Sequence, residues 1–494
     1  MRWRAARGGP LLVGIDLGTS SCKLAAFDLQ GRLLRLVRRA LITQTPEPGA
    51  SEQAPEDWWA AVTHGLRQLL NDPLLTGRPV IGVGICGNWP SLVLIDRRGQ
   101  PLCPAILWKD LRGQLPANIT AEALAERVGL PASLMHTLPV GRLAWLRSHR
   151  PTLLRPDRLA WLLGAKDTLV FWLTGQAVTD PIEAWWSGLA GHYGSAWDEE
   201  LLSQLGIERS CLPQISRWGS LAGRVSAAAA QATGLPIGTP VAVGSGDGVC
   251  GALGAGLARP GQAMVISGWS VIVATPAADS LAFWGDEAIV RFPFLGPNQC
   301  LLYTSTPSGS GFAWFSRLLG ERKAGQVRRQ AVSLPAASGR PCFIPHLEGV
   351  TSPWVDLSLR GAWLDLEPVH GWPELYRAVI EGTVFSVRHI LDALQRRGAT
   401  LESLRLAGGG MRERAMYQLY ADGLQRPVAR LAVNEAGCLG AAICAALAAG
   451  VYPDLPEALR RMVSVKGTIV PGKDSQLYAP RYERFCEACQ RLSA

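Results

Sequence analysis

No stretch of this chain reaches the roughly 18 consecutive apolar residues that a helix needs to cross a bilayer, so a membrane partner is not expected. A secretory leader is not expected either: "MRWRAARGGPLLVGID" starts basic and turns apolar, but Asp16 interrupts it far too early. A cytoplasmic location is the expectation. The 11 cysteines form only one C-x-x-C, Cys486 and Cys489, with neither a second pair nor a nearby histidine to complete a metal site. The others lie scattered in core-like segments such as "GICGN" and "AAICAAL", as reduced buried thiols do. The 7 histidines show no ligand spacing, the Walker pattern G-x-x-x-x-G-K-[ST] is absent, and no short tandem repeat or low-complexity tract occurs. Charged residues make up only 18%, and the net charge of +9 is spread through short arginine runs such as "RLVRR" and "ALRRM". Those runs read as solvated faces rather than a nucleic-acid surface, while the mild positive field suits an anionic ligand such as a nucleotide.

What is present is a chain of 494 residues, 48% hydrophobic, long enough for two to four domains of roughly 100–200 residues each. "LLVGID", "CKLAAFD" and "RLLRLVRRAL" read as three strands joined by tight turns. "SEQAPEDWWAAVTHGLRQLLND" reads as a helix with an early Pro55 and acids in its first turn, and "VIGVGIC" as a strand buried on both faces. Helices are predicted from about 120 to 175, including "LAWLLGAKDTLVFWLTG". A second core is predicted near 240, where "TPVAVGSGD" repeats the strand, glycine and acid of "LLVGIDLGT". Further on come a long amphipathic helix ending at Gly398, the strand and glycine turn "SLRLAGGG", and the small-residue helix "AGCLGAAICAALAAG".

Three motifs carry chemistry. In "GIDLGTSSCK", Gly18 permits a tight turn, the backbone and hydroxyls of Thr19, Ser20 and Ser21 offer donors to anionic oxygens, and Lys23 adds a charge. Asp16 at the strand end suits a magnesium ion that also takes phosphate oxygens; a plain hairpin turn is the competing reading. In "VGSGDGVCGALGAG", the glycines leave room around Asp247, which can accept a proton from an attacking hydroxyl, or else simply cap the helix that starts near Val249. In "LAGGGM", three glycines after a strand provide a flat surface for a nucleoside, or an ordinary strand–helix turn. One acid heads each expected domain, which places a ligand cleft between them.

The chain resembles the FGGY family of carbohydrate kinases, within the actin-like ATPase superfamily. The carrying segments are "GIDLGTSSCK", "SEQAPEDWW", "PAILWKDLR", "KDTLVFWLTG", "VGSGDGVCGALGAG", "FIPHLEG", "ELYRAVIEGTVFSVR", "LAGGGM" and "GCLGAAICAALAAG", in family order over nearly the whole chain. The resemblance implies an α/β fold of two actin-like (ribonuclease H-like) domains, each around a five-stranded sheet, over 10–242 and 243–494. ATP and Mg2+ are the implied cofactors, and a sugar or polyol, pentulose-like or related, is the implied acceptor. By position, Asp247 is implied as general base and Asp16 as the magnesium-side acid. Gly18, Thr19, Ser20, Ser21, Lys23, Gly268, Gly309, Gly409 and Gly410 fall on the nucleotide side. Asn88, Trp89, Trp108, Asp110 and Arg112 fall on the sugar side. The resemblance also allows a homodimer.

Departures concern the substrate and one phosphate contact. Xylulose kinases carry a Gln-x-His-Gly-like run where this chain reads Gly87-Asn88-Trp89-Pro90-Ser91, so Pro90 holds the histidine position; the Arg-Glu pair of glycerol kinases is also missing. Gly268-Trp269-Ser270 stands for a Gly-Thr-Ser-like second phosphate loop, and Ala184-Trp185-Trp186 replaces a small-residue segment. Trp89, Trp185, Trp186 and Trp269 thus fall near the expected cleft, as an aromatic wall for the acceptor or as core packing. A catalytically weak sugar- or nucleotide-binding regulator on the kinase scaffold is the alternative function.

Overall fold

The computed structural model describes residues 9–116, 119–278, 288–296, 299–337, 339–411 and 413–493. It divides into two compact units, Met1–Gly256 with Ala436–Val463, and Leu257–Glu435 with Ser464–Ala494.

The first unit is built on a six-stranded sheet. Its strands are β1 (Leu11–Leu17), β2 (Ser21–Phe27), β3 (Leu33–Ala40), β4 (Val80–Gly87), β5 (Leu221–Arg224) and β6 (Pro240–Ala242), in the order β5-β6-β4-β1-β2-β3. The first three form the predicted antiparallel meander; β4 and β6 add in parallel, and β5 closes the edge antiparallel. Every residue of β1 and β4 is buried, as expected of strands covered on both faces. One cover is the helix Pro55–Leu70, which starts with Pro55 and turns Trp58, Val62, Leu66 and Leu69 inward. The other is the helix Ala436–Ala448, returning from far along the chain. A Cβ on Gly14 would overlap the carbonyl oxygen of Cys438, and one on Gly84 that of Ala441, so glycine in the strands permits this close approach.

The second unit holds a seven-stranded sheet of β7 (Gly261–Ser267), β8 (Val271–Ala278), β9 (Val290–Gly296), β10 (Gln299–Thr306), β11 (Leu401–Ala407), β12 (Val428–Leu431) and β13 (Val465–Ile469), in the order β9-β10-β8-β7-β11-β12-β13. From β10 to β13 the strand directions repeat those from β3 to β5: antiparallel, antiparallel, parallel, parallel, antiparallel. The long amphipathic helix Trp372–Arg396 lies in its core, and Gly398 beyond it takes a left-handed φ of 91°.

Four sequence expectations change. The sheets have six and seven strands rather than five, because β5 and β13 each extend an edge and β9 adds a further strand to the second. The boundary expected at 242/243 falls inside the first unit, where Val241 pairs with Val83 and the helix Asp247–Gly254 packs on Ala436–Ala448. The repeat of "LLVGIDLGTSS" is therefore "MVISGWS" at the end of β7, not "TPVAVGSGD". Finally, "LAWLL" is a strand, Leu159–Leu163, antiparallel to Val93–Asp96; the helix starts only at Ala165, where Asp167 accepts a hydrogen bond from Gly164 N.

Candidate active site

In the first unit, β1, β4 and β6 run parallel, and all three end on the same side of the sheet. Asp16 pairs in register with Cys86, and a bridge between Gly87 and Gly246 carries the ladder beyond β6. Asp16, the segment after Gly87 and Asp247 thus collect at the carboxyl ends of neighbouring strands, where open α/β sheets receive ligands. Both acids belong to this one unit, not to separate ones.

Asp247 opens the helix Asp247–Gly254 behind Gly246, and no side chain caps that helix, so the capping alternative does not describe it. Its carboxylate accepts a hydrogen bond from Trp89 Nε1 at 2.9 Å. A Cβ on Gly246 would stand 2.5 Å from the Trp89 indole, which explains the glycine before the acid. Trp186 meets Trp89 edge-on, with ring centroids 4.9 Å apart. Asp247 remains partly exposed within dense surroundings. Burial, and next the negative charge of Asp16, push its carboxyl up to about 7, against the hydrogen bond from Trp89.

Asp16 lies beside Lys23, Nζ to Oδ2 2.9 Å. The turn between β1 and β2 is closed by Gly18 N donating to Ser21 O at 3.1 Å, leaving Thr19 partly exposed and Ser20 exposed. Its shape is held from outside. Gln53 Nε2 donates to Thr19 O at 2.6 Å, and Trp108 Nε1 to Thr19 Oγ1 at 3.0 Å. Trp108, expected on the sugar side, thus buttresses the turn between β1 and β2. Gln53 was not singled out, because a lone glutamine before a helix carries no local signal.

Asn88 and the Asp110–Arg112 pair are engaged internally. Asn88 Nδ2 donates to Leu17 O at 3.1 Å, and its Oδ1 accepts from Ser91 Oγ at 2.6 Å. Arg112 joins Asp110, Glu52 and Glu47 and lies 4.4 Å over the Trp145 ring. Behind the Asp247 loop sits a buried charge cluster that sequence reading missed. Lys166 pairs with Asp167 and, at 2.9 Å, with Asp180, whose Oδ1 accepts from Ser245 Oγ at 2.9 Å. Burial pushes Glu183 well above the ordinary carboxylate range, against the pull of Lys166. Of the tryptophans, Trp185 belongs to the core: it is 2% exposed and donates to Val128 O. Trp89 bonds to Asp247, and Trp186 packs on Trp89.

The second unit gathers the remaining expected nucleotide residues. Gly268 N donates to Ser270 O at 3.1 Å in the turn after β7, the counterpart of the Gly18 turn. A Cβ on Gly309 would overlap Gly268 O, one on Gly408 would come 2.5 Å from Ser267 O, and one on Gly410 would come 3.2 Å from Ser267 Oγ. Gly409 faces open space. Trp269 projects from the turn, 36% exposed.

Comparison with known proteins agrees with this layout. Residues 11–254 match the N-terminal domain, and residues 303–449 the C-terminal domain, of the FGGY family of carbohydrate kinases. The chain is 26% identical over 490 residues to a xylulose kinase of Staphylococcus epidermidis, covering 98% of each. It is 28% identical over 481 residues to an L-xylulose/3-keto-L-gulonate kinase of Escherichia coli, covering 96% of this chain and 95% of that protein. A ligand-bound xylulose kinase from Lactobacillus acidophilus shares its fold with a TM-score of 0.83 at 23% identity, over 98% of this chain and 99% of that one. Two units with the same strand plan, an acid at the end of one sheet's central strands and glycine turns at both have one explanation: this chain belongs to the FGGY family of carbohydrate kinases, with their two-domain actin-like fold.

Proposed function

We propose that the protein transfers the γ-phosphoryl group of ATP to a hydroxyl of a small sugar or polyol, with Asp247 as general base. The observation that carries this is the Asp247 carboxylate itself: partly exposed at the strand ends, oriented by Trp89, with an affinity for protons pushed up to about 7. A base poised near the working pH accepts a proton well while a substantial fraction, about half, is ionised. The acceptor oxygen attacks the γ-phosphorus, its proton passes to Asp247, and the bond to the bridging oxygen breaks to release ADP. The Gly18–Ser21 turn and Lys23 would face the phosphates, and the Gly409–Gly410 turn the adenosine.

Asp16 suits Mg2+. One or two carboxylates suffice for this ion, with water and phosphate oxygens completing its shell. Gly437 keeps the space beside it clear, since a Cβ there would come 3.1 Å from Asp16 Oδ2. When bound, Mg2+ neutralises charge on the phosphates. The acceptor is a pentulose or related sugar, the class named by the relatives, read through different side chains because Pro90 holds the histidine position.

A library of pentuloses, polyols and sugar acids with ATP and Mg2+, followed by ADP release, tests this. One acceptor is expected to raise ADP release well above background, and Asp247→Asn to lower that rate by roughly 10²–10⁴-fold. ATP binding with no acceptor-dependent turnover would instead support a regulatory binding protein, the reading that Trp269 in the second phosphate turn favours.

A further inference from the structure

Trp89 was expected to contact the sugar as part of an aromatic wall. Its geometry assigns it a second task. The indole is fixed on two sides, where Gly246 is a glycine because any Cβ would enter the ring and where Trp186 meets it edge-on, and the backbone beside it is anchored by Arg142 Nη1 donating to Pro90 O at 2.7 Å. Arg142 is 1% exposed, so this anchor is itself rigidly seated. The ring N–H points at Asp247 Oδ1. A donor locked in this way restricts the rotation of the carboxylate and favours its ionised form.

We propose that Trp89 is a positioning residue for the reaction: its indole N–H holds the Asp247 carboxylate ionised and in one orientation, so that the acceptor must present its reactive hydroxyl to a fixed base. The inference rests on the reading of Asp247 as the base. The charged and titratable groups around that carboxylate are Asp16 on β1, Cys250 on its own helix and Glu183 on Pro181–Trp186, with Lys23 on β2 held by Asp16. Burial, Asp16 and Cys250 disfavour the ionised form; Trp89 is the larger of the two donors that oppose them, the other being the Gly248 backbone N–H. An indole N–H does not titrate in this range. Its contribution is therefore constant with pH.

The test combines two readouts. In Trp89→Phe a smaller aromatic ring remains and the donor goes, so the acidic limb of kcat/KM against pH is expected to move up by about one unit, with kcat lowered more than KM is raised. Independently, in the full-length protein labelled with 5-fluorotryptophan, the Trp89 fluorine resonance, identified by its loss in Trp89→Phe and Trp89→Tyr, is expected to titrate near pH 7. That titration is expected to vanish in Asp247→Asn. The fluorine experiment needs no turnover, so it stands even where a variant is inactive. Wild-type turnover in Asp247→Asn would overturn the reading of Asp247 as the base, and with it the positioning role of Trp89, whatever the fluorine shows. An inactive Asp247→Asn with an unmoved acidic limb in folded Trp89→Phe, and a Trp89 resonance flat with pH, would overturn the proposal.

Discussion

Burial of the Asp247 carboxylate, the proposed base, bears on stability as well. Its folded carboxyl is pushed up to about 7 from an ordinary value of 3.8, so between these values the native state binds the proton more tightly than the unfolded chain does. Stability contributed by this group is therefore present at low pH and lost as pH rises towards 7. Above 7 the native protein carries the whole cost of an ionised carboxylate in a poor environment, up to a few kcal/mol and reduced by water at its open edge. Asp247→Asn is expected to melt above wild type at pH 8, with the difference closing towards pH 4, by calorimetry at both. A variant melting below wild type at pH 8 would show that the charge is better solvated than its surroundings suggest. Glycines flanking an acid at a strand end were legible in the sequence. The bond between Trp89 and Asp247 was not, because it joins residues 158 apart whose meeting depends on the order of β1, β4 and β6.

At the scale of elements, the decisive contact is between small residues. The helix Ala436–Ala448 lies so close to its neighbours that a Cβ on Gly440 would overlap the Cys250 carbonyl oxygen, and one on Gly84 would overlap that of Ala441. Backbone oxygens cannot turn aside as a side chain can, so a substitution must push the whole helix away. Gly84→Val, although a better strand former than glycine, is expected to destabilise by about 1–3 kcal/mol or more, seen as a lower urea midpoint. Gly339→Ala, with nothing within 4 Å of the new Cβ, is expected to stay within about 0.5 kcal/mol of wild type. Equal midpoints for the two would mean the helix gives way easily. The composition of "AGCLGAAICAALAAG" announced close packing, but not against which partner. "LAWLL" was misread for a related reason: a short apolar run serves helix and strand equally, and its pairing with Val93–Asp96 decides between them.

At the scale of the whole molecule, the chain leaves the first unit at Gly256 and re-enters it at Ala436. Two α/β halves were expected from a recurrence of strand, glycine and acid at "TPVAVGSGD" that lies inside the first unit, and a re-entrant segment has no local mark. The backbone explains why the interruption is tolerated: a Cβ on Gly254 would overlap the carbonyl oxygen of Ala436, so the points of exit and return lie side by side. A chain of residues 9–256 alone would leave the Gly14 and Gly84 face of its sheet uncovered, with fully buried β1 and β4 open to water. It is expected to be a loose, dye-binding state without a cooperative urea transition. Joining residue 256 to residues 436–463 through a few Gly and Ser residues spans the adjacent ends at little entropic cost and restores the cover. That joined chain is expected to unfold in one cooperative step, and its slowest-exchanging amides to lie in β1, β4 and the returning helix. If residues 9–256 alone unfolded cooperatively at the same midpoint, the returning helix would be an accessory of this unit and not part of its core.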